Sequence, residues 1–181
     1  MTTADAATEL AGHGVAVLLP RQWEGRIYQR AVPAAPAASP ATASHAAAAG
    51  PAYPHPTGWP GERTHPVMHL ANFALPASRG DYGTGAVERM GAAHIFIALL
   101  EFGSDCLGTA LYEPRGLPRV SAGQFNPNGM QRRVAGQAGF QHFFTERNRP
   151  FCLYVVLGSH RQAVPLTKQV NAVLDRIEVS P

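Results

Sequence analysis

The sequence predicts an α+β domain: an antiparallel sheet with a C-terminal amphipathic helix and a shorter mid-chain helix packed on it. Three observations predict it. The runs HIFIALLEFG (94–103) and FCLYVVL (151–157) carry β-branched and aromatic residues, with apolar side chains at both parities of the two-residue strand repeat. That pattern belongs to strands covered on both faces. Near the end of the chain, Leu166, Val170, Val173, Leu174 and Ile177 recur at steps of four, three, one and three, which is one stripe of an amphipathic helix. Pro165 suits its first turn, where a missing amide proton costs nothing.

Taken in order, GVAVLLP (14–20) reads as a buried strand stopped by proline, and EGRIYQRA (24–31) as its hairpin partner across PRQW. The chain then changes character. Residues 32–63 are mostly Ala, Pro, Gly, Ser and Thr, with few large apolar side chains to offset the entropy of ordering. They predict a mobile loop or linker with polyproline II character, inserted after the first hairpin of a single domain spanning 1–181. A strand is expected at 67–75, a short helix around Ala86 to Met90 after the turn-rich PASRGDYGTG, and the strong strand at 94–103. SAGQFNPNGMQRRV (121–134) is rich in turn residues, and its Asn-Gly pair suits a tight turn. Two further strands, 139–145 and 151–157, meet through ERNR.

The bulk numbers exclude several classes. The chain has 181 residues, 45% of them hydrophobic, only 15% charged, and a net charge of +3. Lys168 is the single lysine, and the arginines are scattered, the densest group being Arg132, Arg133, Arg147, Arg149 and Arg161. Nucleic-acid footprints are usually runs of basic residues interleaved with aromatics, so a solvated surface is the better reading and no nucleic-acid partner is expected. No apolar run has the length of a membrane span, and the first residues lack the basic and apolar regions of a secretion signal. With only Cys106 and Cys152 available, a disulfide framework is not expected and the default is a cytoplasmic protein with free thiols.

The candidate sites follow from residue chemistry. Cys152 sits between His142 and His160 in FQHFFTERNRPFCLYVVLGSH, and Glu101 closes the central strand, so Cys152, His142 and Glu101 form the alternative reading of a small enzyme. A hairpin loop with an even number of residues sets Phe143 opposite Cys152 and His142 opposite Leu153, whereas a three-residue loop would bring His142 across from the thiol. Two- or four-residue loops fit ERNR better, and a thiol in an apolar strand has a raised pKa, so a core cysteine is the reading adopted. His45, His55, His65 and His69 suggest a metal, with His65 and His69 the only close pair. Structural sites use tighter ligand sets, so no metal or other cofactor is expected. The glycines of RGDYGTG match neither dinucleotide nor phosphate fingerprints, and Glu101 with Asp105 reads as solvated carboxylates at a strand end. The aromatics Phe140, Phe143, Phe144, Phe151 and Tyr154 should fill two layers of core, and a face left bare would be a partner surface.

The opening GVAVLLPRQWEGRI and the amphipathic helix after a final strand pair resemble the Mog1/PsbP-like superfamily. The resemblance implies an antiparallel sheet with helices packed on it, and accessory or binding roles. The function expected is therefore a non-catalytic module that recognises another protein through the edge or face of its sheet. The second alternative is a structural component of a larger assembly, tethered by residues 32–63.

Overall fold

The structure, a computed structural model, describes residues 7–30 and 65–181. The segment 32–63 lies outside the described residues. The regular elements are β1 (Thr8–Gly12), β2 (Val15–Leu19), β3 (Glu24–Gln29), β4 (Pro66–Ala71), β5 (Ile95–Glu101), β6 (Ala138–Glu146), β7 (Arg149–Leu157), α1 (Ala163–Leu174) and β8 (Ile177–Val179). Five strands form one sheet in the order β3-β4-β5-β7-β6, and three form a second in the order β1-β2-β8. Every pairing between these strands is antiparallel, so the chain is an α+β protein.

The large sheet is apolar on both sides, as the doubled parity of β5 and β7 requires. Ile95, Ile97, Leu99, Leu153, Val155 and Leu157 point to one face, where Leu166, Val170, Val173 and Leu174 of α1 and Val15, Val17 and Leu19 of β2 meet them. Phe96, Ala98, Leu100, Cys152, Tyr154 and Val156 point to the other face. That second face is roofed by connecting segments, with Ala86, Val87, Tyr82, Phe102 and Met130 against it. Burying a side chain such as Leu153 contributes about 2 kcal/mol, so β5 and β7 carry most of the core.

Three expectations need correction. The strands at 15–19 and 24–29 do not form a hairpin. β2 pairs instead with β1 and β8, and β3 pairs with β4. The reason is visible at Gly25, where a Cβ would lie 2.6 Å from Leu10 Cδ2 and 2.9 Å from Leu19 Cδ1. β1 and β2 thus lie across the face of β3 rather than beside it. The helix expected at 86–90 is one 3-10 turn, Val87–Arg89, and it packs on the face opposite α1. Gly85 and Gly91 bracket it, leaving too few residues to offset the cost of helix nucleation. Finally, α1 ends at Leu174 and Ile177 belongs to β8.

Arg149 ties the layers together. Its Nε and Nη2 donate to the Glu101 carboxylate at 2.9 and 2.7 Å, its Nη1 donates to the carbonyls of Gly14 and Ser180, and its Nη2 also donates to the His13 carbonyl. One guanidinium therefore holds the end of β5, the β1–β2 turn and the residue after β8.

Candidate edge-docking site

β6 is an outermost strand, and its register with β7 decides what it offers. Arg147 and Asn148 form a two-residue turn with φ of 50° and 62°, the left-handed pair that matches the twist of a hairpin. The even loop length sets Phe143 opposite Cys152 and His142 opposite Leu153, as the sequence predicts for an even loop. Starting from the closing pair Glu146–Arg149, the even-numbered residues of β6 bond to β7 and the odd-numbered ones turn their N–H and C=O outward.

Two of these outward positions are plugged. Gly139 exchanges backbone hydrogen bonds with Asn126, its N–H donating at 2.9 Å and its carbonyl accepting at 3.0 Å. At the other end the Thr145 N–H donates to the Pro114 carbonyl at 2.8 Å, and the Thr145 carbonyl accepts from the Gly116 N–H at 3.0 Å. Between the plugs, Gln141 and Phe143 have no outward backbone partner among the described residues. The lane from position 139 to 145 is six steps, about 20 Å.

The walls of the lane are shaped by sequence. Asn126-Pro127-Asn128-Gly129 is a β-turn closed by the Gly129 N–H on the Asn126 carbonyl at 2.9 Å, with the Asn126 side chain accepting from the Asn128 N–H. Gly129 and Gly139 must both be glycine, because a Cβ on either would sit 2.6 Å from the carbonyl oxygen of the other. A cleft of about 520 Å³ opens beside Gly139, lined by Gln124, Asn126, Asn128, Met130, Gln131 and Gln141 among others. A second cleft, of about 300 Å³, opens at the Thr145 end along Thr109, Tyr112, Glu113 and Arg115.

The side chains of Gln141 and Phe143 turn to the second face. Gln141 Nε2 donates to the Cys152 sulfur at 3.4 Å, and its Oε1 accepts from Gln131 at 3.5 Å. Phe143 meets Tyr112 edge-on at 5.4 Å and lies 6.3 Å from Phe102. Tyr82 packs edge-on against Tyr154, whose hydroxyl accepts from the Gln131 N–H. Every group whose titration is shifted here is held neutral at pH 7. Burial pushes the Cys152 thiol up, and it raises Tyr154 as well. Burial also takes Tyr82 to about 12 and raises Tyr112 and, further along the face, Tyr28. His69 is driven down to about 4, mainly by desolvation. Such a surface supplies hydrogen bonds and aromatic contact but no thiolate nucleophile.

The structure does not bring the alternative catalytic residues together. Cys152 is fully buried on the second face. His142 belongs to the opposite parity of β6 and is stacked between Phe140 and Phe144, at 6.1 and 6.2 Å, on the side of α1. Glu101 shares the parity of Ile95, Ile97 and Leu99 and is taken up by Arg149. The candidate metal pair is also divided. His69 is wholly buried, its Nδ1 accepting from Arg79 Nε at 2.8 Å and its Nε2 donating to the Asp81 carbonyl at 2.7 Å. Both ring nitrogens are thus in use. His65 precedes β4 and lines a different cleft beside Ser104 and Asn148. His45 and His55 lie outside the described residues, within which no three potential ligands cluster.

Comparison with family models, curated proteins and solved structures returned no match. Among the described residues, no helix is long and apolar enough to cross a membrane.

Sequence reasoning missed β6 as the site. Gln141 was the available signal, an amide at the centre of the aromatic run GFQHFF. Its meaning depends on β6 being outermost, which local periodicity does not encode.

Proposed function

We propose that the protein is a non-catalytic docking module that recognises another protein by taking up one of its extended segments along β6. The observation that carries this reading is the gap in an otherwise plugged edge, the outward N–H and C=O groups of Gln141 and Phe143 between Asn126 and Pro114–Gly116. Unpaired strand edges invite pairing, and β-strand addition is a recurrent mode of peptide recognition. The dimensions favour a short segment over a second copy. β6 has nine residues, about 30 Å of extended chain, and would run into both plugs of a lane about 20 Å long. An occupant of three to five residues fits and can turn away into the two clefts.

The neutral groups beneath the lane agree with binding rather than catalysis. An antiparallel sheet with a terminal helix is also compatible with the Mog1/PsbP-like plan, and the accessory and binding roles of that superfamily point the same way.

The test is selection of peptides from a random library, followed by comparison on Gln141→Pro. Proline at an outward position removes the donor offered to the lane without touching the β6–β7 ladder. Peptides that bind the native protein, lose at least tenfold on Gln141→Pro (about 1.4 kcal/mol), and slow amide exchange at Gln141 and Phe143 are the expected result. Selected peptides that bind both proteins equally would sink the reading.

A further inference from the structure

We infer that the segment taken up by β6 runs antiparallel to it and carries acidic residues just after its extended core. This inference rests on the docking reading above and adds direction and charge to it. Direction follows from the length of the gap. In an antiparallel pairing, one residue exchanges both bonds with Gln141 and another, two positions away, exchanges both with Phe143. Three residues opposite 141–143 then satisfy all four outward groups. A parallel segment needs five residues, because its slanted bonds reach from 140 to 144, hard against the plugs at 139 and 145.

Charge follows from the walls. At the Gly139 end the cleft is lined by uncharged side chains, the amides of Gln124, Asn126, Asn128, Gln131 and Gln141 prominent among them. Arg132 and Arg133 follow directly on Gln131, whose side chain touches Gln141. Both arginines are exposed. Arg132 has Glu88 only at 3.9 Å, and Arg133 has no carboxylate within 4 Å among the described residues. An exposed pair at that distance is weak, so both guanidiniums remain available to an arriving carboxylate. The Thr145 end is different, because Glu113 stands beside Arg115 in the same cleft and the two charges offset each other. The lane is thus positive at one end and balanced at the other. An antiparallel segment places its C-terminal end at Gly139, and that end should be acidic.

The experiment uses three blocked octapeptides with one Thr-Val-Thr-Val core. One has Ser-Ser before the core and Glu-Glu after it, one has Glu-Glu before and Ser-Ser after, and one has Ser-Ser at both ends. The two acidic peptides have equal charge and composition, so overall attraction cancels between them. Binding is read by calorimetry, with amide exchange at Gln141 and Phe143 as the positional readout. The peptide with Glu-Glu after the core should bind about fivefold tighter than its isomer, two exposed charge contacts being worth that much. The difference should vanish in the double variant Arg132→Ser/Arg133→Ser and in high salt. Equal binding of the two isomers, or preference for the other one, overturns the inference while leaving edge docking in place if Gln141→Pro still abolishes binding. Failure of all three peptides to bind more tightly to the native protein than to Gln141→Pro overturns both.

Discussion

His69 shows how one side chain ties stability to pH. The Arg79 Nε proton points at its Nδ1, and its Nε2 proton is given to the Asp81 carbonyl, so the ring has no room for a second proton. Desolvation is the largest cause and the Arg79 charge adds to it, outweighing the Asp81 carbonyl, which favours the cation; the folded pKa lies near 4, against 6.5 for an ordinary histidine. Below pH 6.5 the unfolded chain binds a proton that the folded chain refuses, so stability is complete above that pH and falls as pH drops toward 4. The loss should reach about 2 kcal/mol, measured by urea unfolding at pH 7 and pH 4.5. The variant His69→Gln should be less stable at pH 7 but should flatten the profile in that window. Arg149 is the second residue of this kind. Removing it by Arg149→Met leaves Glu101 half enclosed without its partner, and should cost about 3 kcal/mol or more. Arg149→Lys should recover little, since an ammonium cannot serve one carboxylate and three carbonyls with a planar fork. At Cys152 the expectation concerns rate. The thiol is fully buried with a raised pKa, so a disulfide-exchange reagent should modify half-buried Cys106 first and reach Cys152 only on unfolding.

Among the elements, the β6–β7 hairpin has the most to gain from redesign. Arg147 and Asn148 both adopt positive φ, which is unfavourable for the long arginine side chain. Replacing the pair by Asn-Gly, as Arg147→Asn/Asn148→Gly, should stabilise the protein by about 1 kcal/mol, seen as a higher urea midpoint at unchanged slope. This hairpin was legible in the sequence, register included, because two aromatic-rich runs and an even loop leave one arrangement. β5 was legible because its apolar residues fall at both parities. β1 was not, since Thr8–Gly12 has Leu10 as its one large apolar side chain. β8 was hidden differently: Ile177 continues the apolar stripe of α1, and only pairing to β2 makes its three residues a strand. The first hairpin failed because two adjacent strands with a short connection look alike whether they pair or cross between layers. Gly25 held the clue, a glycine where a strand would rather have a side chain.

At the scale of the molecule, the two faces of the large sheet are treated unequally. One is closed by α1 and the small sheet, through aliphatic side chains with Phe140, Phe144 and Phe151 among them. The other is closed by irregular segments that bring Tyr82, Val87 and Met130 over the face where Cys152 of β7 lies, with His69 of β4 buried on the same side. The candidate site arises where this second face meets the outermost strand. It was illegible in the sequence because it is made by strand order, by backbone groups common to all residues, and by two plugs thirteen and thirty residues from the positions they cover. A deletion should expose the dependence between layers. Removing 177–181 takes β8 from β2 and the Ser180 carbonyl from Arg149. It should lower stability with a loss of amide protection concentrated in β1 and β2, measured by hydrogen exchange, while β5 and β7 stay protected.

The position of β8 beside β2 also sets a timetable. During synthesis, residues 15–17 leave the ribosome roughly 160 residues ahead of 177–179, their partners, which at about 10 residues per second is some 16 s. For that interval one edge of β2 stands bare, and the alternation of Val15, Val17 and Leu19 makes it an adhesive one. The amino-terminal strands are therefore the part of the nascent protein most in need of a chaperone, and the last to be finished.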